Sequence, residues 1–121
     1  MFSTPNPAST LDQFPDVVSF ARNSARVAFK IEFRATDGRI ADYFPDFIVK
    51  TGEHEVWIVE TKGRIDFEDA PKWRRLVQWC DDASKAGNVL YRPLLVPEQE
   101  WRTSRFASFA EAAATFKGRA P

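Results

Sequence analysis

Three charged residues stand where two apolar runs of this sequence begin and end. Asp46 lies inside the aromatic and β-branched run of residues 43–49, and Glu60 and Lys62 follow the second run, residues 55–59. Both runs have strand composition, and residues 51–54 between them have turn chemistry. Because side chains alternate across a strand, Glu60 and Lys62 should face the same way and Thr61 the other. If the two strands pair antiparallel, Asp46 comes opposite Glu60.

Two carboxylates and an ammonium beside apolar strands favour metal-assisted chemistry on phosphate. Charges next to buried strands are costly unless they are paired or bind a metal. Asp46 and Glu60 offer the hard oxygen ligands that Mg²⁺ prefers, with Mn²⁺ as a substitute. Lys62 could neutralise charge on a phosphate, or orient or deprotonate an attacking water. The residues therefore predict a magnesium-dependent catalytic centre.

The spacing of these residues also resembles a known signature. Pro45-Asp46, thirteen intervening residues and then Glu60-Thr61-Lys62 resemble the PD-(D/E)XK nuclease motif. More narrowly, YFPDFIV followed by VETKGR is similar to the C-terminal endonuclease domain of the restriction subunit of type III restriction enzymes and of related helicase-nucleases. The segment Phe20-Ala21-Arg22-Asn23 resembles the aromatic-x-basic-Asn segment that precedes the first strand in those domains.

The resemblance implies a DNA endonuclease that leaves 5′-phosphate and 3′-hydroxyl ends. Asp46 and Glu60 would hold the metal together with the backbone carbonyl of Thr61, and Lys62 would act on the water or the phosphate. The expected substrate-binding residues are Arg64, Lys72 and Gln78. Partners implied are DNA and a helicase or ATPase domain or subunit, since the chain has no phosphate-binding Gly-x-x-x-x-Gly-Lys-Ser/Thr loop. A homodimer is also left open.

One departure from the family pattern concerns the metal site. Many members carry a further acid on the first helix, for which the candidates here are Asp12 and Asp16, and neither is convincingly placed. Two other functions therefore stay open. One is a non-catalytic, nuclease-like module that binds DNA or docks a partner, and the other is a resolvase- or transposase-type endonuclease with the same core. The chain could also be a fragment or reduced form of a larger helicase-nuclease.

Bulk composition predicts one globular domain. The chain has 121 residues, 44% hydrophobic and 14% aromatic, with a formal net charge of zero. We expect residues 1–14 to form a loose lead-in and residues 15–121 to form the nuclease-like domain. A net charge of zero counts against tight autonomous DNA binding, which depends on neutralising phosphates. The lone Cys80 favours a reducing cytoplasm, and no apolar run approaches the about 20 residues that span a membrane.

The elements that must position the site follow from periodicity and turn chemistry. Residues 15–23 are predicted as a helix, and residues 27–33 as a half-buried strand that turns at Asp37-Gly38. These lead, in an antiparallel meander, into the strand of Asp46, which Pro45 should bend. A helix from Asp69 to about Ala86 then crosses to a parallel strand, residues 89–96, and a capping box at Ser108 opens the last helix. The predicted fold is a restriction-endonuclease-like α/β core in the order α-β-β-β-α-β-α, with a mixed central sheet of about four strands flanked by helices.

Overall fold

The computed structural model describes residues 11–24, 27–64 and 69–121. Its strands are β1 (Ser19–Arg22), β2 (Ile31–Arg34), β3 (Ile40–Tyr43), β4 (Phe47–Gly52), β5 (Glu55–Lys62) and β6 (Leu90–Pro97). Its helices are α1 (Asp69–Ala86), α2 (Glu98–Thr103) and α3 (Phe109–Phe116). Residues 11–13 are also helical. No helix in the described ranges is long and apolar enough to cross a membrane.

A mixed four-stranded sheet lies at the centre, in the order β1-β4-β5-β6. Strand β4 pairs antiparallel with both β1 and β5, whereas β5 and β6 are parallel and α1 connects them. The mixed sheet, the β4–β5 hairpin and the parallel β5–β6 pair are as predicted. In the hairpin Phe47 pairs with Val59, so the next residues outward are Asp46 and Glu60.

Both faces of the sheet are covered, since alternate residues along its strands belong to two different hydrophobic clusters. Val49 and Val59 pack with the C-terminal helices, in a cluster that includes Trp101 and Phe109. Ile58 instead packs against α1 and the β2–β3 hairpin, in a second cluster. Glu60 and Lys62 have the same parity as Ile58, so the strand directs them to the α1 side.

The helix predicted at residues 15–23 is wrong. Residues 15–16 form a turn, and Ser19–Arg22 is the edge strand β1. Short apolar runs do not distinguish helix from strand by period alone. What decides is the edge of β4: the amide of Val18 donates to the carbonyl of Lys50 at 2.8 Å, and that of Asn23 donates to the carbonyl of Asp46 at 2.8 Å. A strand satisfies these edge groups and a helix would leave them unpaired.

The predicted meander is also wrong in its pairing. The turn at Asp37-Gly38 forms a hairpin, with Gly38 at a φ of 86°, but the strand before it covers only Ile31–Arg34. This β2–β3 hairpin is a separate two-stranded sheet that packs on α1, while β1 takes the place beside β4. The observed order therefore departs from α-β-β-β-α-β-α in its first half. Helix α2 was not predicted at all.

Pro45 was expected to bend one strand over residues 43–49, and the structure has a bend there that divides this run between two strands. Strand β3 ends at Tyr43 and β4 begins at Phe47, and Asp46 lies in a bend between them. Tyr43 and Pro45 are buried, so the bend is held by packing on both sides of exposed Phe44. The backbone around Asp46 is therefore anchored in the core.

The predicted N-cap of the last helix, Ser108, is confirmed, whereas the return bond of Glu111 goes to the amide of the preceding residue and not to that of Ser108. Ser108 Oγ accepts a hydrogen bond from the amide of Glu111 at 3.1 Å, and Glu111 Oε2 accepts from the amide of Ala107 at 3.0 Å. A second cap comes from outside the helix: the carboxylate of Asp16 accepts from the amides of Phe109 at 2.8 Å and Ala110 at 2.9 Å. Asp16 thus ties the N-terminal segment to the start of α3.

Replacing Asp16 by alanine should destabilise the fold by about 1–2 kcal/mol, because two helix-start amides lose their acceptor. The measurement is the free energy of unfolding in urea. Asp12→Ala is the matched control, because Asp12 is exposed, and it should leave the urea midpoint nearly unchanged. Equal effects of the two substitutions would contradict the capping role.

Candidate active site at the end of strand β5

Asp46 closes the end of the β4–β5 pairing with its side chain. Its Oδ2 accepts hydrogen bonds from the backbone amide of Thr61 at 2.8 Å and from the hydroxyl of Thr61 at 2.7 Å. The Asp46 carboxylate thus accepts the hydrogen bond that a strand carbonyl would accept, just before β4 begins. The Thr61 side chain was predicted to face away from the site, and this detail is wrong, because Asp46 lies in the bend and reaches the edge of β5.

Glu60 is brought against Asp46, as predicted from the hairpin. The Asp46 and Glu60 carboxyl groups and the Tyr43 hydroxyl are close enough to shift one another's pKa. Glu60 is only 6% exposed and Tyr43 only 4%. A carboxyl group is rarely buried so deeply without a specific partner. The arrangement is a close carboxyl pair under a tyrosine, at the carboxyl end of β5.

Burial and the neighbouring Asp46 carboxylate raise the pKa of Glu60 from 4.5 to about 9. Burial also pushes the pKa of Asp46 upward, but hydrogen bonds from Glu60 and from the hydroxyl and amide of Thr61 outweigh it and lower that pKa overall. The two opposite pKa shifts favour a proton on Glu60 and an ionised Asp46 at neutral pH. Two like charges at hydrogen-bond distance do not both ionise in a buried place.

Stability should fall as pH rises from about 4.5 towards 9, because the folded chain binds a proton at Glu60 that the unfolded chain releases. The expected slope is at most about 1.4 kcal/mol per pH unit. Glu60→Gln should flatten this dependence, since the amide does not titrate. Urea unfolding at several pH values measures it, and an unchanged slope in Glu60→Gln would contradict the assignment.

Lys62 is paired across the site with Asp69, the first residue of α1. Its Nζ lies 2.7 Å from Asp69 Oδ1, and the two side chains are 22% and 1% exposed. The positive charge also favours the ionised forms of Asp46 and Glu60. The ammonium thus lies between the Asp46–Glu60 pair and the beginning of α1.

The predicted substrate-binding residues are placed unequally. Arg64 is exposed just beyond β5. Lys72 lines one small cavity with Glu60, Lys62 and Asp69, and its Nζ lies 5.8 Å from the centroid of the Phe33 ring. Gln78 is exposed on α1, six residues beyond Lys72 and so about 9 Å further along the helix axis. The structure therefore brings Lys72 to the carboxyl pair, and Gln78 lies away from it.

Neither acid considered as a further metal ligand lies at this site. Asp16 caps α3 and lines a pocket with Thr51 and Trp57, which are near the other end of the β4–β5 hairpin. Asp12 is exposed before β1. Within residues 11–24, 27–64 and 69–121, no three His, Cys, Asp or Glu side chains are grouped as a metal site. The metal site that the sequence predicts has two carboxyl groups and a backbone carbonyl.

Sequence reasoning missed two residues of the site. Tyr43 was interpreted only as part of the aromatic strand pattern. Because the chain bends at Pro45, the alternation of side chains along a strand does not predict that Tyr43 and Asp46 lie close together. Asp69 was predicted only as a helix cap. The sequence did contain an indication of this role, because Asp69 begins the helix that directly follows the strand of Lys62. The first turn of such a helix lies near the end of the preceding strand.

Comparisons with protein-family models, with curated proteins and with solved structures found no match for this chain. The evidence for a function comes from the residues of the site themselves.

Proposed function

We propose that this chain is a magnesium-dependent endodeoxyribonuclease of the PD-(D/E)XK type, the nuclease module of a cytoplasmic restriction or helicase-nuclease system. The observation that carries the proposal is the close pair of Asp46 and Glu60 carboxyl groups, with the Lys62 ammonium beside it. These are the three residues whose spacing resembles the nuclease motif. They meet at the carboxyl end of a strand with a parallel neighbour, a common place for ligands in α/β sheets.

The donor set fits a divalent cation with oxygen ligands. The neighbouring Asp46 carboxyl raises the pKa of Glu60, and a cation between the two carboxyl groups can take the place of the proton that this shift favours. Asp46, Glu60 and the carbonyl of Thr61 are the proposed ligands. When bound, magnesium would neutralise charge on the scissile phosphate and lower the pKa of water.

The roles of the protein side chains follow from their positions. Asp46 is held by two hydrogen bonds from Thr61, so it offers a preorganised negative charge. Lys62 supplies a cation for the negative charge that develops on the phosphate, or orients the attacking water. Arg64 and Lys72 are the proposed contacts to the DNA backbone. Since the net charge is zero, much of the affinity for DNA would come from a helicase or ATPase partner.

A cleavage assay tests the proposal directly. The purified chain is incubated with supercoiled plasmid and Mg²⁺ or Mn²⁺, with and without chelator, and the ends of the products are mapped. We expect nicking or linearisation that requires the metal and leaves 5′-phosphates. If neither the chain alone nor the chain joined to a helicase partner cuts DNA, and neither binds Mn²⁺, the proposal fails.

A non-catalytic role is the second candidate, favoured by the protonated Glu60 and the zero net charge. A binding module should retain affinity for DNA or for a protein partner in Asp46→Asn, whereas an enzyme loses turnover. Four-way junctions, offered beside plasmid, separate a general endonuclease from a resolvase-type enzyme, which would cut the junction at paired positions.

A further inference from the structure

We propose that Asp69 is a positioning residue of the active site, which holds the ammonium group of Lys62 at the edge of the Asp46–Glu60 pair. The inference rests on the proposed function, because it gives Asp69 a part in the reaction through Lys62. It extends the site from the β4–β5 hairpin to the first residue of α1.

The contact is direct and buried on one side. Lys62 Nζ and Asp69 Oδ1 are 2.7 Å apart, and the Asp69 side chain is 1% exposed. Exposed ion pairs contribute little, because two long side chains must be ordered against water. Here the carboxylate is ordered already by burial, and removing its cation would leave a buried charge without that partner. The pair should therefore fix the ammonium in one place.

The ion pair of Lys85 and Asp81 is not buried in this way. Lys85 and Asp81, on the same helix, are 2.8 Å apart with side chains 74% and 60% exposed. That pair has the same chemistry and a similar distance, but solvent surrounds it. It is a matched comparison for what burial adds at Asp69.

Asp69 is also close to the carboxyl pair itself. It lines one small cavity with Tyr43, Glu60 and Lys62. Burial raises the pKa of Tyr43, and the charges of Glu60, Asp46 and Asp69 raise it further. The neighbouring cation on α1, Lys72, has its Nζ over the Phe33 ring, so it is placed differently from Lys62. Residues from three elements, β3, β5 and α1, therefore surround this small cavity.

Fixing the ammonium matters because a lysine side chain is a flexible stem that ends in a point charge. A misplacement of about 1 Å in a catalytic group can reduce turnover about a hundredfold. In this arrangement the start of α1, and not β5 alone, sets where the positive charge meets the phosphate. In the proposed reaction Asp69 acts through Lys62.

The test compares Asp69→Asn with Asp69→Glu and with the control Asp81→Asn. We expect Asp69→Asn to lower kcat for DNA cleavage about a hundredfold per folded molecule, with KM changed less than about threefold. Asp69→Glu should recover part of kcat because it restores the charge, and Asp81→Asn should match the wild-type chain. Circular dichroism and thermal unfolding give the folded fraction. Wild-type kcat in folded Asp69→Asn would overturn the inference.

A second readout does not require activity. Lysines are labelled with a limiting amount of an amine-reactive anhydride, and the labelled fraction at Lys62 is measured by mass spectrometry against Lys85. We expect Lys62 to be protected in the wild-type chain and its labelling to rise at least about threefold in folded Asp69→Asn, since the amine loses its ion pair with the buried carboxylate. Unchanged labelling would overturn the inference. A wild-type chain that does not cut DNA, but in which labelling still depends on Asp69, would show that the proposed function fails while the pairing stands.

Discussion

Replacing Lys62 by methionine should reduce DNA cleavage about a thousandfold and also destabilise the fold by about 3 kcal/mol. The first effect follows from the loss of the positive charge beside the carboxyl pair. The second follows from Asp69, a 1% exposed side chain that would lose the ammonium 2.7 Å from its Oδ1. Plasmid nicking and urea unfolding measure the two effects on the same protein.

Stability and activity can be separated by changing both partners of the pair. In Lys62→Met combined with Asp69→Asn, no charge is left without its partner, so the free energy of unfolding should recover most of its loss. Cleavage should not recover, because the cation is still missing. Lys85→Met, which removes an exposed lysine of α1, is the control and should change neither quantity. A double variant that cuts DNA at the wild-type rate would sink the role of Lys62.

The second large effect concerns the carboxyl pair. Glu60→Gln should make the metal-free protein more stable at pH 7 and above. In the wild-type chain, folding at this pH requires Glu60 to take up a proton or to bury a charge, and the amide of Gln has neither cost. The same substitution should lower Mn²⁺ affinity at least about tenfold and abolish cleavage, since an amide oxygen replaces a charged ligand. Titration calorimetry with Mn²⁺, urea unfolding and plasmid nicking together measure this trade of stability for function.

Asp46→Asn should lose Mn²⁺ affinity and cleavage in the same way, with a smaller effect on stability, because its amide oxygen can still accept from Thr61. The matched control is Glu55→Gln, at the opposite end of β5, where the carboxylate bonds Thr51 and Trp57. That variant should keep both metal binding and cleavage. Mn²⁺ binding that survives in both Asp46→Asn and Glu60→Gln would show that the metal is held elsewhere.

Much of the site could be predicted because its parts are close in the sequence. Asp46 directly precedes one strand of the hairpin and Glu60 lies on the other, so the turn of the hairpin sets the register that brings them together. Lys62 follows Glu60 by two residues and shares its side of the strand. Local rules of alternation and turn chemistry are sufficient for such a pair, and the parallel partner β6 follows from a single helical crossover.

The errors arose where a partner distant in sequence made the choice. Residues 15–23 include apolar residues that suit a short helix. Residues 19–22 nevertheless form a strand, because they pair antiparallel with the edge of β4. The hairpin β2–β3 has the strand pattern that was expected, but the sheet position beside β4 was taken by β1, so the hairpin packs on α1 instead. Competition between segments for one sheet edge leaves no trace in the pattern of either segment.

The sequence by itself determined which charged residues stand at the end of the central hairpin, and the antiparallel pairing of its strands then places Asp46 opposite Glu60. Only the tertiary structure decided the electrostatics of these residues. Burial and the neighbouring Asp46 carboxyl raise the pKa of Glu60, and the start of α1 places Asp69 against Lys62. Both depend on desolvation and on contacts across the fold, which arise only when the helix has packed on the sheet.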